Sequence, residues 1–191
     1  MKKLIVSLML LTTVISCNSQ EQLQSKGNGA VSGEMSINSE IESMPLYDLS
    51  DEQVNSLLFM WEEEKVARDV YLTLGQLYNQ RIFSNISSSE QKHMNAVKSL
   101  ITKYGIPLIG TEEVGVFHSP EFQNLYNELV ERGRNSLAAA LDVGRDIELM
   151  DIADLEREIG GATPDMQMVY ENLMAGSYNH LAAFERNLSR L

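Results

Sequence analysis

The chain has 191 residues, 43% of them hydrophobic and 22% charged, with a formal net charge of −12 and a single cysteine. That length suits one domain with a sizeable core. An acidic chain without a basic stripe is a poor fit to nucleic acid or to an anionic lipid surface, and one cysteine excludes an intrachain disulfide.

Lys2 and Lys3 precede an apolar run, Leu4 to Ile15, that is too short to span a bilayer and is flanked like a secretory leader. The run closes on Val14-Ile15-Ser16-Cys17, which resembles the bacterial lipoprotein box. The resemblance implies cleavage before Cys17, a lipid on that cysteine, and a protein anchored in the bacterial cell envelope. Asn18 is not the aspartate associated with inner-membrane retention, and the sequence leaves open which membrane holds the anchor. An ordinary cleaved signal with an incidental cysteine is the alternative. Losing Lys2 and Lys3 with the leader takes the charge from −12 to −14. Residues 17–46 are rich in Ser, Gln, Asn and Gly and read as a flexible tether. The expected organisation is a signal peptide over 1–16, lipidated cysteine and tether over 17–46, and a folded domain over 47–191.

Ser50 with Gln53 makes a capping box, and Asp51 and Glu52 suit a positive first turn, so a helix is expected over 51–79. At about 100° per residue, Leu57, Met60, Trp61, Ala67, Tyr71, Leu74 and Tyr78 share one sector. Glu62 and Asp69 fall on the opposite side and Glu63 at the border, while Glu64 lies in the middle of the apolar sector. A connection through Arg81-Ile82-Phe83 leads to a second helix over 86–104, ended by Gly105 and Pro107. Its apolar face gathers Ile86, Val97, Leu100, Ile101 and Tyr104, and that face also carries Glu90 and His93. Ser119-Pro120-Glu121 starts a short amphipathic helix that ends at Gly133. The third long helix, over 136–159, buries Leu141, Gly144, Ile152 and Leu155, with Glu148 and Asp151 in the same sector. Thr163-Pro164-Asp165 opens the last, to about 189, which buries Met166, Val169, Tyr170, Leu173, Ser177 and Phe184, with His180 on that side. Val114-Gly115-Val116-Phe117 is too short to build a sheet.

Four long amphipathic helices, with one long crossover between the second and third that carries a short extra helix, describe an all-α four-helix bundle of ferritin-like connectivity. Each long helix buries at least one ionisable residue. Glu64, Glu90, His93, Glu148, Asp151 and His180 are four carboxylates and two imidazoles, a mixed oxygen and nitrogen set that suits iron or manganese. Glu90 and His93 stand three apart on one helical face, a metal-ligand spacing.

The runs Glu63-Glu64-Lys65-Val66-Ala67-Arg68-Asp69-Val70-Tyr71, Ser89-Glu90-Gln91-Lys92-His93 and Asp151-Ile152-Ala153-Asp154-Leu155-Glu156 resemble the ferritin-like family catalogued as domain of unknown function 2202, over roughly residues 47–190. The first two are also similar to rubrerythrin, where such motifs hold iron. That likeness implies that Glu64, Glu90 and His93 are metal ligands. The last helix departs from the ferritin pattern, because Ser177 stands where a second Glu-x-x-His would place a glutamate. Asp151, one turn after Glu148, can supply the missing carboxylate. If it does not, the centre is mononuclear, asymmetric or empty.

The leading expectation is an envelope-anchored protein with a di-iron or di-manganese centre that oxidises ferrous iron or reduces oxygen or peroxide. No rubredoxin-like cysteine pair is present to feed it electrons. The rival is a non-catalytic tethered bundle that binds another envelope protein. Its polar core would be purely structural, with Arg68 paired to Glu90 or Glu148. Trp61, Tyr71, Tyr170 and the methionines read first as core, and His118 as a surface residue. Metal ions and, through Cys17, the membrane are the expected partners; nucleic acid is not expected, and a second copy of the chain stays open.

Overall fold

The computed structural model describes residues 37–191; the expected signal peptide, Cys17 and the tether up to residue 36 lie outside the described residues. Five helices follow in order: α1 (Asp51–Tyr78), α2 (Arg81–Lys103), α3 (Pro120–Gly133), α4 (Leu137–Ile159) and α5 (Pro164–Leu188). A short helical segment at 37–43 precedes them, and the described residues contain no strand, as expected of an all-helical chain. That segment moves the edge of the ordered domain into the expected tether. Ile41 is buried with Trp61 and Leu100, and burying such a side chain gains roughly 1.5–3 kcal/mol. Among the described residues, no helix is long and apolar enough to cross a membrane.

Cap chemistry sets most of the helix starts. Ser50 and Gln53 form the expected capping box, the Ser119 hydroxyl accepts from the amides of Glu121 and Phe122 ahead of Pro120, and the Ser136 hydroxyl accepts from the Ala139 amide. The start of α2 corrects the sequence reading. Arg81-Ile82-Phe83 is helix rather than connection, because Asn79 takes a left-handed φ of 50° and reverses the chain almost at once. A short polar side chain tolerates that conformation better than most. Phe83 is thereby carried in against Tyr71 and Phe184.

Helices α1 and α2 pack as one hairpin and α4 and α5 as another; α1 also meets α4, α2 meets α5, and α3 bridges α1 and α4. The apolar interior forms two clusters. One gathers Val66, Val70, Tyr71, Phe83, Ile86, Leu141, Ile147 and Phe184; the other gathers Leu57, Trp61, Met94, Val97, Leu155, Met166 and Leu173. Along each long helix the change from one cluster to the other falls where the sequence carries its buried acids and histidines. Glu64 separates Trp61 from Val66, and Glu90 and His93 separate Ile86 from Met94. Glu148 and Asp151 separate Ile147 from Leu155, and Ser177 and His180 separate Leu173 from Phe184. The polar groups form one layer across the four helices, with greasy layers above and below that keep water away.

The crossover from α2 to α4 changes the environment of α1. Residues 61–71 are buried on every side of that helix, so Glu62 and Asp69 do not face solvent as their angle suggested. Glu62 accepts the His118 amide at 2.6 Å and the Ser119 amide at 3.0 Å. Asp69 is fully buried and accepts from Lys65 Nζ, from Arg68 Nε and from the Gly115 amide at 2.9 Å. Lys65 also donates to the Glu113 carbonyl and lies 4.1 Å over the Phe117 ring. These bonds pin residues 112–119 to the outer face of α1.

Candidate metal centre

Two groups of potential ligands form in the polar layer, each with its donor atoms within 4.8 Å of one another: Glu64, Glu90 and His93, and Glu90, Glu148 and His180. Glu90 belongs to both. Its Oε2 lies 2.8 Å from His93 Nδ1 and its Oε1 lies 2.9 Å from His180 Nδ1, so one carboxylate spans the two imidazoles. Glu64 Oε2 approaches His93 Nδ1 at 3.2 Å and Glu148 Oε2 approaches His180 Nδ1 at 3.4 Å. The arrangement is nearly symmetric, with one terminal glutamate and one histidine on either side of the shared carboxylate. The imidazole rings stack with centroids 5.5 Å apart. Both present Nδ1 inward, the atom that would ligate in the neutral ring.

Neighbouring side chains fix the rotamers of these acids. Tyr71 donates to Glu148 Oε1 at 2.6 Å. The Ser177 hydroxyl donates to Asp151 Oδ2 at 2.5 Å, so the residue that replaces the expected glutamate instead holds the aspartate that could substitute for it. Asp151 falls outside both tight groups, although its charge acts on Glu64. Gly176 makes room for His93: a Cβ there would sit 2.6 Å from His93 Nε2.

The charges are strongly coupled. Burial opposes ionisation of Glu90, but His93 and His180 overcome it and hold Glu90 well below the usual carboxylate range. Burial likewise opposes a charge on each imidazole, yet Glu64 and Glu90 raise His93 well above its ordinary value, and Glu148 and Glu90 raise His180 to about 10. The outer acids move the other way. Burial and the charge of Asp151 push Glu64 up, burial and the charge of Glu90 raise Glu148 to about 8, and burial raises Asp151 to about 6.

The donor set fits a pair of divalent cations. Four carboxylates balance the charge of two such ions while both histidines stay neutral, and three carboxylates, Glu64, Glu148 and Asp151, resist ionising without a cation. Glu64 Oε1 and Asp151 Oδ1 are buried with no hydrogen-bond partner. An unsatisfied buried acceptor costs about 1–3 kcal/mol, a cost that a cation would remove. Arg68 does not enter the centre. It bonds Asp69, Gln91 and the Glu112 carbonyl, so the salt bridges expected of a structural core to Glu90 or Glu148 do not form.

Residues 53–190 match the family model described as Uncharacterized protein domain (DUF2202). The chain belongs to that family. An uncharacterized relative from Methanocaldococcus jannaschii, MJ0754, is 50% identical over 151 residues, 78% of this chain and 82% of the relative. The crystal structure of that hypothetical protein superposes with a TM-score of 0.76, covering 78% of this chain and 86% of that one. The DUF2202 match spans every element that contributes to the centre, from α1 through α5.

Of the six residues singled out in the sequence, Glu64, Glu90, His93, Glu148 and His180 converge, and Asp151 lies beside them. Glu63 was not singled out, and it is buried beside the charges of Asp151 and Asp154. Its angle put it at the border of the apolar sector.

Proposed function

We propose that this DUF2202 protein is an envelope-anchored, ferritin-like four-helix bundle that holds two iron or manganese ions in the layer formed by Glu64, Glu90, His93, Glu148, Asp151 and His180. The observation that carries the reading is the single Glu90 carboxylate placed between two inward-facing Nδ1 atoms, each flanked by its own glutamate. Bound there, two redox-active ions would let electrons from ferrous iron or another donor reach oxygen or peroxide at one buried point. The chain's own residues do the rest. Glu90 would bridge, and the histidines would limit the open positions at each ion. Tyr71 fixes Glu148 and Ser177 fixes Asp151, as second partners of ligands commonly do. The apolar clusters on both sides exclude bulk water, which strengthens every charge interaction inside.

A purely structural polar core fits less well. It leaves Glu64 Oε1 and Asp151 Oδ1 unsatisfied and buries more carboxylates than the imidazoles can neutralise. Metal analysis of protein purified without a histidine tag tests the reading, with Glu90→Ala and His93→Ala alongside. Stoichiometric iron or manganese that falls in both variants supports the centre; protein that arrives metal-free and refuses added ferrous iron removes it. For the anchor, radiolabelled palmitate is expected to label the full chain, and Cys17→Ser to abolish that label.

A further inference from the structure

A cation bound in this layer has to reach it, and Glu64, Glu90 and Glu148 are each 1% exposed. Glu63 follows a different course from its neighbour. Set about 100° round the helix from Glu64, it meets the charges of Asp151 and Asp154 on α4, the helix that packs against α1. Glu63 is more than nine-tenths buried, yet its Oε2 has no partner. Asp151 Oδ1, three residues before Asp154 on α4, has none either. Asp154 reaches the surface: its side chain is 24% exposed, and the well-exposed Arg157 pairs with its Oδ1. Burying a carboxylate among three others with an open oxygen is a cost that packing does not explain. Glu63 also belongs to neither tight group of ligand atoms, so its place is beside the centre rather than in it.

We infer that Asp154 and Glu63 form the uptake route for the centre, handing a divalent cation from the solvent edge of α4 to Asp151 and Glu64. The inference rests on the di-metal reading. Asp154 captures the hydrated ion at the surface, in competition with Arg157. Glu63 then takes it with the open Oε2 while Asp151 and Glu64 displace the remaining water. Asp151 and Asp154 are three apart on α4 and Glu63 and Glu64 are consecutive on α1, and the two helices pack against each other.

The test uses the full chain, stripped of metal, and cobalt(II) as the probe. Loading is followed in time by the visible absorption of the bound ion, and the plateau by metal analysis after gel filtration. Glu63→Gln and Asp154→Asn are near-isosteric, remove one carboxylate each, and are expected to keep the wild-type plateau while loading about tenfold to a hundredfold more slowly, the range of electrostatic focusing lost. Arg157→Ala is expected to speed loading. Wild-type loading rates in both acid variants would mean that ions pass the imidazole edges instead, and would overturn the route. A plateau lowered in Glu63→Gln would make Glu63 a resident ligand and also overturn it. Wild-type protein that takes up no cobalt overturns the di-metal reading itself, and the route with it.

Discussion

Raising the pH should destabilise the metal-free protein, and the metal should reverse the effect. Glu148 moves from 4.5 to about 8 and Asp151 from 3.8 to about 6 on folding. A carboxyl group whose value is raised in the fold contributes stability that is complete below its unfolded value and lost as pH climbs through its folded value. His180, raised from 6.5 to about 10, loses its contribution in the same direction, over a window that opens higher. Glu90, held low, acts oppositely and weakens the fold only in acid. At 1.36 kcal/mol per unit, complete ionisation costs about 5 kcal/mol at Glu148 and about 3 kcal/mol at Asp151. Both acids interact with Glu90, so their costs overlap and do not simply add; Glu148 alone, ionising through about 8, gives a loss of about 3–4 kcal/mol between roughly pH 5 and pH 8. That is a sizeable part of the 5–15 kcal/mol typical of a folded domain. Two divalent ions need those carboxylates ionised, so added manganese(II) should raise the urea midpoint more at about pH 8 than at about pH 5. Urea unfolding followed by far-ultraviolet circular dichroism, with and without manganese, measures both trends. A metal-free protein that becomes more stable between those two pH values, or a manganese effect that does not grow with pH, would refute the account of the centre's charges.

Three other outcomes follow from particular contacts. Ser177→Ala removes the hydroxyl that holds Asp151, and should weaken metal binding by about tenfold to a hundredfold while leaving one ion per chain measurable at excess metal. Gly176→Ala would place a Cβ 2.6 Å from His93 Nε2; calorimetric titration should show the weaker binding at the His93 half, because the ring must swing away from Glu64 and Glu90. Asp69→Ala strips the shared partner of Lys65 and Arg68. Leaving buried cations unpaired costs about 3–5 kcal/mol, and limited proteolysis should then cut within residues 112–119 while the metal content stays unchanged.

Periodicity and end signals carried much of this protein in the sequence alone. The positions of the long helices, the all-helical class and the buried sides of α4 and α5 follow from where apolar side chains recur and where Ser50, Gly105 and Pro164 stand. The same angular reasoning separated Glu64 from its two neighbours and put Glu90, His93, Glu148, Asp151 and His180 on inward faces. It failed where a helix has more than one partner. On α1 the crossover covers the face that a two-sided helix would give to water, so Glu62 and Asp69 are buried by bonds to residues more than 40 positions away. The early start of α2 turned on the backbone angle at Asn79, which the residue type permits but does not dictate. Tertiary structure alone decided that Glu90 reaches both histidines and that Ser177 holds Asp151. Each depends on distances between helices, and the spacing of residues within one helix cannot set the separation from the next.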